Sequence, residues 1–363
     1  MRNMIDYVET EKASFQEKAF HGVDSLVLSK LAYFSFDGFV PDLEGGMSSA
    51  SIRELAERDD REELYRNTSE RGRNKRLLMA LAASPRFSGI GAGFYVNRLD
   101  FVKEKQFSAT TFLLGDGTAY VAFRGTDSTF VGWKEDFNMS FSRTIPSQEE
   151  SVLYLNAVGG SFSGGLRLGG HSKGGNLAVF ASMNCREEIR ERITDIYSHD
   201  GPGFRKEVFQ STEYRQVRNR IRHSMPQSAL IGMLLEHHET YVVVKSRRIG
   251  IMQHNPYSWL VKDDDFEYLE EIDPMAVYAD RTIREWLGSL SDEKRELFID
   301  TLYSVMKATD ARFFSDLTVD RRSKARAALS AIRGIDEETR HFVLQTVGSL
   351  MAMAVKVLKA EMK

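Results

Sequence analysis

The stretch Leu166-Arg-Leu-Gly-Gly-His-Ser-Lys-Gly-Gly-Asn-Leu-Ala-Val-Phe-Ala181 constrains this chain more than any other. A short apolar run reads as a strand, a run with helical spacing follows, and between them Gly170-His171-Ser172-Lys173-Gly174 fits G-x-S-x-G. A serine in that turn sits on sharply bent backbone that flanking glycines permit, its hydroxyl at the C-terminal edge of a sheet and at a helix N-terminus that favours negative charge. The same pattern also occurs in ordinary glycine-rich turns. The surroundings must decide between the two.

Those surroundings alternate. Phe94-Tyr-Val-Asn-Arg-Leu-Asp-Phe-Val102 and the β-rich runs ending at Leu114 and Phe123 precede the serine, the last two joined by Gly115-Asp116-Gly117 as in a hairpin. A helix is expected over 148–158, strands over 193–199, 217–226 and 240–246, and a short helix over 228–237. Strands alternating with helices predict an α/β fold, a mainly parallel sheet flanked by helices. Residues 1–90 read as a mostly helical segment packed on that core, with the capping-box pair Ser51 and Glu54. The core spans 91–273, and 274–363 reads as a C-terminal helical subdomain. There Leu297, Phe298, Leu302, Val305 and Met306 share one helix face, as do Val343, Val347, Leu350, Met351, Ala354 and Leu358.

Composition narrows the function. Lys plus Arg number 49 against 52 Asp plus Glu, so no basic stripe points to a nucleic-acid partner. Cys185 is the one cysteine, which excludes a disulfide within the chain and a cysteine-rich zinc site; it reads as a small core residue. The first twenty residues lack the apolar run of a signal peptide, and no window approaches the roughly 20 apolar residues of a spanning helix, so a cytoplasmic protein without stable membrane insertion is expected. Neither H-E-x-x-H nor a clustered ligand set stands in the sequence, and Asp263-Asp264-Asp265 reads as a solvated turn; no metal and no cofactor are expected.

A serine nucleophile needs a base. Of the eight histidines, His21 precedes the sheet, His341 lies in the terminal helices, His171 adjoins the serine with its side chain turned away, and His237 and His238 look solvated. His254, in a loop after the last strands, is the candidate base; a loop histidine bonded to backbone is the alternative. An oxyanion hole needs two N–H groups. The residue after the nucleophile, Lys173, supplies one, and Thr126 in Phe123-Arg-Gly-Thr126 is placed to supply the other through N–H and hydroxyl. Arg124 reads as an anchor for that loop, to Asp127 or Asp136. For the acid, Asp200 in His199-Asp-Gly-Pro-Gly203 lies on the correct sheet edge, with Glu236 and Glu239 as alternatives and an acid-free site also open.

Together, 121–137 (VAFRGTDSTFVGWKEDF), 169–178, 199–204, 228–237 and 253–259 (QHNPYSW) closely resemble the Mbeg1-like proteins of bacteria, which in turn are similar to the class 3 lipases. The resemblance covers about residues 20–270. It implies an α/β-hydrolase fold and a Ser-His-acid hydrolase, with Thr126 at the lipase oxyanion position. The chain departs from the lipases where they carry the acid: the comparable stretch, 221–232, contains no Asp or Glu, and Ser228 stands in that place.

The expected reaction is hydrolysis of a small-molecule acyl ester or lipid through an acyl-enzyme, with lipase, esterase and thioesterase equivalent at this level. Ile231–Leu235 offers an apolar lid or a short buried helix. The rival is a hydrolase fold used without catalysis, as a binding or regulatory module. Oligomeric state is not readable from the sequence.

Overall fold

The computed structural model describes residues 1–309 and 321–361, apart from 67, 101, 128 and 230 and the side chains of 321 and 350–361. It divides into two compact units. The first comprises Met1–Arg98, Phe107–Gly125 and Ser147–Asp273; the second comprises Leu99–Gln106, Thr126–Pro146 and Pro274–Lys363.

The first unit is built on a nine-stranded sheet. In chain order its strands are β1 (Ala50–Ser51), β2 (Gly91–Asp100), β3 (Lys105–Leu113), β4 (Ala119–Phe123), β5 (Leu166–His171), β6 (Ile193–His199), β7 (Ile221–Pro226) and β8 (Tyr241–Val244). After a two-stranded ribbon, β9 (Val261–Lys262) with β10 (Asp265–Phe266), comes β11 (Tyr268–Leu269), which closes the far edge antiparallel to β8. The predicted hairpin is β3 against β4, Leu113 facing Ala119. From β4 to β8 every pairing is parallel and each strand lies beside its predecessor.

That order has a consequence for the layers. Right-handed crossovers between successive neighbours put all connecting helices on one face, so the other face needs a different cover. The helices before β2 provide it. Along β4 the period-2 alternation divides the strand: Ala119, Val121 and Phe123 join one core with Leu166, Leu168, Leu177 and Ala178, whereas Tyr120 and Ala122 join a second core with Val23, Leu26, Val27 and Leu81. Both cores are aromatic-rich.

The N-terminal layer is fastened by Arg86. Its guanidinium is fully buried against Asp24, with contacts of 2.6 and 2.9 Å, and donates further to the carbonyls of Ala13, Ser14, Lys18 and Ala19. It also lies over the Phe15 ring, 4.0 Å from its centroid. Ser51 and Glu54 form the expected reciprocal cap. Cys185 is buried, and burial pushes its thiol up to about 11.

Residues 228–237 do not form the expected helix. Among the described residues they run as turns, because their backbone groups are committed elsewhere. Gly232 N–H donates to Asp200 Oδ1, Leu234 C=O accepts from Gly203, and Glu236 exchanges two bonds with Phe204. Leu235 adopts φ +64°, which no α-helix accommodates.

In the second unit, Phe130–Asn138 and the C-terminal helices enclose a small core of Trp286, Phe298 and Ile299, bordered by Phe137, Phe141, Leu302 and Val343. The expected stripes are only partly buried. Phe298 is inside, but Leu297 and Val347 are exposed at 42% and 46%, since the packed face runs through Phe298, Ile299 and Thr301 instead. Leu350, Met351, Ala354 and Leu358 lie outside the described side chains. No helix among the described residues is long and apolar enough to cross a membrane.

Candidate active site

Ser172 joins β5 to the helix Lys173–Asn184 with φ +61° and ψ −136°, a strained conformation for a residue with a β-carbon. Two backbone bonds hold it there: its N–H donates to His199 C=O at 2.9 Å, and its own C=O accepts from Gly175 at 2.9 Å. The glycines of the motif are needed for contact. A β-carbon on Gly174 would stand 2.1 Å from Phe123 O, and one on Gly170 would stand 2.3 Å from the Gly174 carbonyl carbon, so neither position admits a side chain. Lys173 opens the helix, so its N–H stands in the first turn beside Ser172.

His254 ends a short 3-10 turn, Gly250–His254, and its Nδ1 lies 2.6 Å from Asp200 Oδ2. A carboxylate accepts only, so the proton sits on Nδ1 and the Nε2 lone pair is left for other chemistry. Asp200 follows the last residue of β6, with φ +50° and its side chain 1% exposed. Its second oxygen accepts from Gly232 N–H at 2.9 Å, and its own N–H donates to Ser224 C=O at 2.7 Å. Asp200 is thus fixed at both carboxylate oxygens and at its backbone, while the imidazole it holds remains 27% exposed.

The alternative acids are engaged elsewhere. Glu239 lies between His223 and His237, and Glu236 pairs with His238 at 3.7 Å. Ser228, in the place of the lipase acid, is bound to Gln253 through its backbone N–H at 2.9 Å. The loop from Phe123 to Thr126 reaches the serine turn through Gly125, where a β-carbon would meet Tyr33 Oη at 2.2 Å, His171 O at 2.4 Å and Ser172 Cβ at 3.0 Å. Thr126 comes next, and its hydroxyl donates to Asp136 at 2.7 Å. Arg124 donates to Asn97 at 3.3 Å.

His171 has a part that sequence reasoning missed. Its Nε2–H donates to the backbone carbonyl of His254 at 2.7 Å, its Nδ1 lies 3.2 Å from the Tyr33 hydroxyl, and the two imidazole rings are 4.5 Å apart. Burial first, then the charges of His254 and Lys30, hold its pKa well below the ordinary range and keep it neutral. The available signal was position: a strand residue beside the serine points to the opposite face, where the returning 250–254 segment passes. His237 also differs from its expected solvated state, since it is 8% exposed and bonded to Glu239; His238 is exposed as expected.

The model of the Mbeg1-like family matches residues 81–304, which contain the serine turn, Asp200 and His254. This chain belongs to the Mbeg1-like family. Its mixed sheet, parallel from β4 to β8, with its covering helices and serine turn forms an α/β-hydrolase-like fold. Among solved structures, this Mbeg1-like chain is similar to Rhizomucor miehei lipase in its native propeptide complex, with 17% identity, a TM-score of 0.34 and coverage of 50% of this chain and 62% of that one. It thus spans less than two thirds of that lipase chain. It is also similar to M37 lipase, with 14% identity, a TM-score of 0.35 and coverage of 51% and 70%. No curated protein matches the chain.

Proposed function

We propose that the chain is a serine hydrolase of carboxylic acyl esters, lipase-like or esterase-like, with Ser172 as nucleophile, His254 as base, Asp200 as the orienting acid, and the N–H groups of Lys173 and Thr126 as the oxyanion hole. The observation that carries this reading is the 2.6 Å bond between His254 Nδ1 and Asp200 Oδ2, on the sheet edge where β5 delivers Ser172.

The steps follow from these roles. Ser172 Oγ attacks the ester carbonyl as its proton passes to His254 Nε2, and the resulting imidazolium is stabilised by Asp200. The carbonyl oxygen takes the negative charge and is stabilised by the two N–H groups. The intermediate then collapses, expelling the alcohol with the proton from His254. Water repeats the sequence on the acyl-enzyme, releasing the acid and restoring Ser172. A small acyl ester or a lipid supplies the substrate class.

The test is covalent labelling of the purified full chain with a fluorophosphonate, which reports an activated serine independently of substrate. Wild type should label, and Ser172→Ala and His254→Ala should not. A folded wild-type protein that stays unlabelled, or equal labelling of Ser172→Ala, overturns the reading and favours a non-catalytic binding module.

A further inference from the structure

A second imidazole–carboxylate cluster lies in the first unit, apart from the proposed triad. Glu239 Oε1 accepts from His223 Nδ1 at 3.2 Å and from His237 Nδ1 at 3.0 Å. Its Oε2 accepts from the Tyr214 hydroxyl at 3.1 Å and the His238 backbone N–H at 3.2 Å. The Glu239 side chain is only 9% exposed, so both of its oxygens are met by groups of the protein.

A buried charge is costly unless an opposite charge meets it. Among the described residues no lysine or arginine forms an ion pair with Glu239; its ion-pair partners are the two imidazoles. Nε2 of His223 and Nε2 of His237 are both buried, with no hydrogen-bond partner among the described residues. The cluster thus gathers one carboxylate and two imidazoles away from solvent. One donor atom from each of the three residues falls within 4.8 Å of the others.

We propose that His223, His237 and Glu239 form a transition-metal site, best suited to zinc. Two imidazoles and a carboxylate are a borderline N/O donor set of the kind that ion takes. Tetrahedral zinc with bonds of about 2.0–2.1 Å separates its ligand atoms by about 3.3 Å. The two nitrogen-to-oxygen distances of 3.2 and 3.0 Å are close to that edge, so modest side-chain rotation completes the cage. Each neutral ring lends one nitrogen and carries its proton on the other, so binding involves no redox change. The ion would fasten β7, through His223, to the segment 232–239. Gly232 of that segment holds Asp200, and its Leu234 and Glu236 pair with Gly203 and Phe204. The site is structural, a clamp beneath the loop that carries the proposed acid.

The experiment uses the full chain without a polyhistidine tag, stripped with EDTA, dialysed, and titrated with zinc chloride by calorimetry alongside thermal melts. One zinc ion per chain should bind and raise the melting temperature. His237→Gln and Glu239→Gln should each weaken binding by at least about tenfold, whereas His238→Gln, which removes an exposed neighbour on the same loop, should bind as wild type does. Cobalt added to wild-type protein gives a reading independent of the variants' folding, through the visible absorption bands of a low-coordinate site. Absence of stoichiometric zinc binding by the folded wild type overturns the proposal, as does equal loss in His238→Gln and His237→Gln. None of these readings uses hydrolysis, so they stand apart from the fate of the serine assignment.

Discussion

His254 and Asp200 meet at the edge of the sheet, one imidazole on one carboxylate, with the ring 27% exposed; His223 and His237 converge on Glu239 with the His223 side chain wholly buried. The ingredients match and the settings differ. In the first cluster the protein satisfies the carboxylate from within, by Gly232 N–H and His254, and leaves the imidazole partly exposed. In the second it saturates the carboxylate and seals off the rings. Access, rather than residue type, separates the two clusters, and only the exposed one suits the proton transfer proposed for it.

The comparison breaks most readily at the serine. Ser172→Ala should abolish fluorophosphonate labelling and lower ester turnover by about 10⁶ in kcat; a residual rate near wild type would mean that the open cluster serves no nucleophile. Asp200→Asn comes next, since the amide keeps an oxygen for Gly232 but no longer stabilises an imidazolium. Turnover should fall by about 10⁴ with the melting temperature nearly unchanged. At the sealed cluster, Glu239→Gln should act on folding: the amide places a donor against the N–H and O–H groups that now donate to the carboxylate, and a hydrogen bond to a charged group is worth about 1.5–3 kcal/mol, readable in urea denaturation. An unchanged midpoint would show the sealed carboxylate to be dispensable.

Smaller effects sharpen the contrast. His199 is held near a pKa of about 3 by burial and then by His223, and burial also lowers His171 and His223. His199 and His171 are neutral in the native state, whereas unfolded imidazoles take up protons near 6.5, so the unfolded chain binds more protons as pH falls. Stability is therefore fully present above about pH 6.5 and declines below it, by about 1.4 kcal/mol per pH unit for each such histidine, with the His199 contribution levelling off near its folded value. Denaturation midpoints from pH 8 to 4 check this, and a flat profile contradicts neutral burial. Last, His171→Phe removes the donor to the His254 carbonyl and should reduce kcat/KM about tenfold, the worth of one hydrogen bond to a positioned group.

Local signals carried much of the fold. Strand alternation, the Gly115–Gly117 hairpin and the glycines around Ser172 are steric and periodic features that a single chain displays. Asp200 was legible because β6 puts its C-terminal end on the same edge as β5. The 228–237 segment misled because its apolar spacing is helical while its backbone is claimed by Asp200, Gly203 and Phe204, partners remote in sequence. His237 misled for the same reason: its burial depends on β7 and Glu239, which no local pattern announces. The grouping of 126–146 with the C-terminal helices is likewise set by three-dimensional packing.

Arg86 imposes an order on the birth of the protein. Asp24 and the carbonyls of residues 13–19 emerge from the ribosome first, and 62 residues separate Asp24 from the guanidinium that closes them. Until Arg86 arrives, Asp24 has no buried cation and the loop has no centre to wrap around, so the N-terminal layer cannot settle before the strands behind it are being made. Domains that fold as they are synthesised commonly begin at the amino end. Here the amino end must wait, and a pause in translation before codon 86 would lengthen the time that its apolar face stands uncovered.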